Sequence, residues 1–155
     1  MGLNHDLLGK QYPAQDYGVT AEAILKYAQA YNEDNPVFLD VERASGIIAP
    51  PMFGVVIGWL PIMLVMTDAD LRVDVLQLLH SEQDMHFHLP VVPGDIITCI
   101  ATIQHIEGQA SGESLGVEVQ STNQRGELVQ TMLFRAFIRS KRGKTKMTRR
   151  GKSHE

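Results

Sequence analysis

The spacing of hydrophobic and polar positions changes period once along this chain. In residues 21–31, AEAILKYAQAY, Ile24, Ala28 and Tyr31 share one face with Tyr27, while Glu22, Lys26 and Gln29 lie towards the other. That is helical spacing, with Thr20 as the N-cap and Glu22 in the first turn. The helix must stop before Asn35-Pro36, because a proline drives the preceding residue out of helical backbone. Residues 1–19 show no long period; Leu7 and Leu8 are candidates to dock on the body, and 9–19 form a loop feeding a short extended piece. A second short helix is predicted over 40–45, capped by Asp40, and Pro50-Pro51 introduce a short helix or turn through 53–60. Residues 63–79 form an irregular or helical excursion.

From residue 81 the period is two. Gln83, Met85, Phe87 and Leu89 alternate with Asp84, His86 and His88. Further strands are predicted at 96–106, after Pro93-Gly94, then at 114–121 and 128–139, with polar turns at 107–111 and 123–126. One marked helix followed by three or four antiparallel strands is an α+β pattern. A lone sheet backed by polar loops would leave an apolar face wet, so helix 21–31 is the expected cover. A small sheet also exposes an edge strand, and pairing edges between two subunits removes it, so a dimer is expected.

Composition narrows the function classes. The 155 residues suit one domain, and the net charge of -4 hides an asymmetry. Residues 141–155 hold seven of the fourteen basic side chains and one acid, leaving seven basic against seventeen acidic in 1–140. The chain therefore divides into a folded body, 1–140, and a basic tail, 141–155, expected to be solvated and disordered. An acidic body lacks the basic face of a nucleic-acid-binding domain. The single Cys99 excludes an internal disulfide and a Cys-based zinc cluster, and its apolar run predicts a buried thiol. No signal-peptide pattern opens the chain, and the apolar region 47–66 is interrupted by Pro50, Pro51, Gly54, Gly58 and Pro61, so no membrane partner and a cytoplasmic location are expected.

Three segments carry a family resemblance: YAQAYNEDNPVFLDVERA at 27–44, IAPPMFGVV at 48–56 and LLHSEQDMHFHLPVVPGDIIT at 78–98, with NQRGELV at 123–129 as a further hairpin. In order and spacing they resemble the MaoC-like hydratase/dehydratase family, specifically its N-terminal-type (FAS1-like) dehydratase module, over about residues 5–140. The resemblance implies a hot-dog fold, a central helix wrapped by a curved antiparallel sheet, paired as a double hot dog. It also implies lyase chemistry without a cofactor: hydration of enoyl thioesters, or dehydration of (3R)-3-hydroxyacyl thioesters, of coenzyme A or acyl carrier protein.

Active members of that family use an Asp followed, after four residues, by a His, within a pattern like Gly-Asp-x-Asn-Pro-x-His. The two groups flank one water and the substrate Cα proton. Here Glu33 stands at the acid position and Phe38 at the imidazole position. A phenyl ring exchanges no proton, and starting from Asp34 instead leads to Leu39. The usual chemistry is therefore expected to be missing from this polypeptide. Three readings remain: a dyad-lacking subunit beside a catalytic partner, a self-sufficient hydratase or thioesterase with rearranged residues, or a non-enzymatic acyl-thioester binder. Homodimer and heterodimer both stay open.

The candidate catalytic residues are Glu33 and Asp34, weighed against a solvated acidic turn. The candidate substrate-binding residues are Asn35, Phe38 as a tunnel wall, and Met52, Phe53 and Gly54, whose N–H groups open a helix beside the thioester. Core packing of Phe38 and ordinary helix-start geometry are the alternatives. Asp84, His86 and His88 lie about 7 Å apart on one strand face, but a solvated or interface-facing polar side is the commoner outcome, and no metal is expected. His80 is expected to hydrogen-bond Glu82 or backbone, and Asp95 to hold the turn after Pro93-Gly94.

Overall fold

A computed structural model describes residues 2–140; the expected basic tail lies outside the described residues. Helix α1, Ala21–Ala30, starts where Thr20 Oγ1 accepts from the Ala23 N–H. It ends in a left-handed stop: Asn32, at φ 59°, donates to the Gln29 carbonyl, and Glu33 donates to the Ala28 carbonyl. Asparagine tolerates that conformation better than other residues with a Cβ, which is why the helix ends here. Asn35 caps the short α2, Pro36–Leu39, by accepting from the Val37 N–H, with Pro36 in the first helical position. The helix expected over 40–45 is absent; these residues form turns, because helical structure begins earlier at Pro36 and stops at Asp40.

The main correction concerns the helix that the sheet wraps. It is α3, Phe53–Met66, and not the helix at 21–30. Helix α3 packs against β1, β3, β4 and β5, whereas α1 packs on α2. Its glycines explain why a segment with poor helical appearance takes this place. A Cβ at Gly54 would collide with Gln130 Oε1, and one at Gly58 with Met132 Cε, so the missing side chains let the helix sit close to the sheet. Tertiary burial thereby outweighs weak helix propensity.

Among the described residues the sheet contains five strands, one more than the upper expectation, in the order β1-β3-β4-β5-β2. They are β1 Gln15–Gly18, β2 Leu78–Phe87, β3 Ile96–Gln109, β4 Gly112–Thr122 and β5 Leu128–Arg139. All pairings are antiparallel. Ile97, Cys99, Ala101 and Ile103 of β3 meet Leu115, Val117 and Val119 of β4 and Met132, Phe134 and Ala136 of β5 in one buried layer beneath α3. A bulge between His80 and Glu82 shifts the register of β2 on β5. The second edge, β2, is ten residues long and pairs only with β5. Among the described residues no helix is long and apolar enough to cross a membrane.

Candidate functional site

A cleft of about 280 Å³ opens between α2, the start of α3 and the neighbouring ends of β2 and β5. Phe38 of α2 forms one wall; Pro50, Pro51 and Gly54 bring the α3 entrance to it. Phe87, Leu89 and Val91 supply the opposite apolar side, and Val129 and Gln130 the sheet side. The polar side chains in this lining are His88 and Gln130. Small ligand sites have this constitution, an apolar concavity with few placed polar groups.

Of the residues expected from the sequence, Phe38 and Gly54 line the cleft. Glu33 is turned into its own loop. Its Oε1 accepts from the Asn35 and Asp34 N–H groups at 3.0 and 3.1 Å, and its Oε2 accepts from the Tyr31 hydroxyl at 2.8 Å. The Asn35 N–H and the Tyr31 hydroxyl hold the Glu33 carboxyl below the usual range, so it stays ionised. Tyr31 responds in the opposite sense: burial and the Glu33 carboxylate push its hydroxyl up to about 12. Asp34 is exposed, and Asn35 spends its side-chain oxygen on capping α2.

Met52 is exposed at the start of α3, while Phe53 is buried and meets the Tyr27 and Tyr17 rings edge-on at 5.5 and 6.0 Å. The Phe53 and Gly54 N–H groups donate to the Pro50 and Pro51 carbonyls at 2.9 and 3.1 Å. In this arrangement those amides serve the helix start. His80 Nε2 lies 3.2 Å from the Glu82 carbonyl, and the ring stacks on Phe134 at 4.4 Å. Asp95 Oδ2 accepts from the Val92 N–H at 3.0 Å and ties the turn into β3. Among the described residues no group of three His, Cys, Asp or Glu is placed to hold a metal ion.

Sequence reasoning passed over Gln130. Its signal is phase: in β5 the buried side is Gln130, Met132, Phe134, Ala136 and Ile138, so a glutamine occupies an inward position of an apolar alternation. Gln130 is 2% exposed, and its Nε2 donates to the Gly54 carbonyl at 2.9 Å. The strand expected to include His88 ends at Phe87, so His88 lies just past β2. That it lines the same cleft as Phe38 was not legible, since only the fold brings the end of β2 beside α2.

An antiparallel sheet around one helix, with an apolar cleft at that helix's entrance, defines a hot-dog protein. The chain belongs to the family described as FAS1-like, dehydratase domain region, whose family model matches residues 6–132. A UPF0336 protein of Streptomyces avermitilis is 31% identical over 146 residues, covering 90% of this chain and 97% of the relative. Among solved structures, the C-terminally truncated HadBC (3R-hydroxyacyl-ACP dehydratase) complex of Mycobacterium tuberculosis is similar at 25% identity with a TM-score of 0.71. That match covers 87% of this chain and 99% of the other. A MaoC-like dehydratase of Rhodospirillum rubrum has a TM-score of 0.68 at 21% identity, over 90% and 97% of the two chains.

Proposed function

We propose that this chain is the dyad-lacking subunit of a two-subunit (3R)-3-hydroxyacyl thioester dehydratase, holding an acyl thioester while a related hot-dog partner supplies the acid and the imidazole. The observation that carries this reading is Phe38 in the wall of the cleft, the residue that the family resemblance aligns with the His of active members. A cleft of ligand-site character is retained, while the position that would move the proton is apolar. Glu33, at the acid position, has both carboxylate oxygens engaged by its own turn.

Two surfaces favour a partner. Met52 at the N-cap of α3, then Val56 and the adjacent Trp59 and Leu60 three and four residues further on, stand 38–54% exposed, a stripe that a lone subunit leaves in water. The long edge strand β2 also has an open edge, and its Leu79 is exposed. The HadBC complex, similar to this chain, is itself named as a complex. The ligand expected is a thioester of coenzyme A or acyl carrier protein, acted on without a further cofactor.

The test is loss of enoyl absorbance from crotonyl-coenzyme A. The full chain is assayed alone, then mixed with a hot-dog protein carrying an intact Asp-x4-His. Activity only in the mixture, lost when the partner's His is replaced, supports the reading. Turnover by this chain alone overturns it.

A further inference from the structure

We infer that Gln130 is a specificity-determining residue of the cleft, its carboxamide oxygen accepting a hydrogen bond from the 3-hydroxyl of a bound hydroxyacyl thioester. The inference rests on the acyl-site reading of the cleft given above. Its starting point is a side chain that is 2% exposed yet half satisfied. Nε2 donates to the Gly54 carbonyl at 2.9 Å and lies 3.5 Å from Ser121 Oγ. That contact fixes the amide, because turning it over would set oxygen against oxygen. Oε1 has no hydrogen-bond partner among the described residues and is not sealed into the core, and Gln130 lines the cleft.

Oε1 is therefore a fixed acceptor on a residue that lines an apolar cleft. Phe38, Phe87, Leu89, Val91 and Val129 around it offer a ligand no hydrogen bonds from their side chains. An unpaired acceptor in such surroundings penalises any ligand that displaces its water without replacing the bond. A saturated acyl chain brings no donor to this point, whereas a hydroxyacyl chain brings an O–H. Sites built around one buried polar group discriminate more sharply than sites that sense only an extra methylene. The Gly54 backbone belongs to the device: it holds the amide, and its lack of a Cβ leaves the space that Oε1 occupies.

The experiment measures binding of (3R)-3-hydroxybutyryl-coenzyme A and butyryl-coenzyme A to the full wild-type chain and to Gln130→Met, by calorimetry. The expected result is a preference of the wild type for the hydroxy ligand of about 10-fold to 100-fold, falling towards parity in the variant. Equal affinities in the wild type overturn the inference while leaving the acyl site standing. A uniform loss of both ligands in Gln130→Met, with their ratio kept, also overturns it and assigns the acceptor to the pantetheine arm common to both or to packing. Failure of the wild type to bind either ligand removes the acyl-site reading itself. The wild-type ratio needs no variant, so the inference can be refuted even if Gln130→Met does not fold.

Discussion

The buried thiol of Cys99 lies 3.9 Å from the carbonyl of Ile57, the carbonyl that Pro61, four residues on and lacking an N–H, cannot serve. The same sulfur lies 3.2 Å from Ser121 Oγ. A proline inside a helix costs about 3 kcal/mol or more in ordinary settings. Here β3 offers a weak donor to the freed carbonyl, and the helix continues to Met66. The two residues are therefore expected to be energetically coupled. Cys99→Ala should lower stability by about 1–2 kcal/mol in urea unfolding, and by less in a Pro61→Ala background, where the helix regains its own donor. Equal losses in both backgrounds would show that the contact carries no energy. Burial, first, pushes the thiol pKa up, so Cys99 should resist a thiol reagent until the chain unfolds.

The two glycines of α3 should respond differently to the same substitution. Gly58→Ala meets the end of a flexible methionine, Met132 Cε, and gains helix propensity of up to about 1 kcal/mol, so near-neutrality is expected. Gly54→Ala meets Gln130 Oε1, on an amide already tied to the Gly54 carbonyl, and Met85 Cε at 2.9 Å. A loss of about 1–3 kcal/mol is expected there. Urea midpoints of the two variants provide the comparison.

Acid stability should depend on Asp68. Burial opposes its ionisation, but hydrogen bonds from Lys10 Nζ and the Tyr12 hydroxyl, both at 2.6 Å, and from the Asp70 N–H outweigh it and hold the carboxyl below its usual range. A carboxylate with a depressed folded pKa stabilises fully above its unfolded value, about 3.9, and loses that contribution as pH falls through the folded value. Asp68→Asn should therefore cost about 1–2 kcal/mol at pH 7. Its stability should also fall less steeply than the wild type's below about pH 4. Parallel curves would exclude Asp68 as a source of the acid sensitivity.

Restoring the imidazole alone should not restore chemistry. In Phe38→His the carboxylate at the acid position would still be Glu33, with Oε1 held by two backbone N–H groups and Oε2 by Tyr31. The expected rate of crotonyl-coenzyme A hydration by that variant without a partner is indistinguishable from buffer. Measurable turnover would show that Glu33 can leave its turn or that another group replaces it.

What the sequence determined by itself was local and periodic. Thr20, Asn32 and Asn35-Pro36 act within a few residues of themselves, so the start and stop of α1 and the following turn could be read from their chemistry. The predicted last strand, 128–139, coincides with β5 because alternation marks a strand with one buried face. The expectation that Phe38 stands at the family's imidazole position likewise needed only a register count from Glu33, and the proposed function rests on it.

Only the tertiary structure decided which helix the sheet wraps. Glycines at 54 and 58 and a proline at 61 weaken an isolated helix, and they become favourable only when Gln130, Met132 and Cys99 stand opposite them. The cleft followed the same logic. Phe38, His88 and Gln130 are separated by long stretches of chain and line one cleft because β2 and β5 pair antiparallel and α2 and the α3 entrance fold onto their neighbouring ends. Propensity and spacing act along the chain, whereas close packing and hydrogen-bond satisfaction act across it, and the site belongs to the second kind.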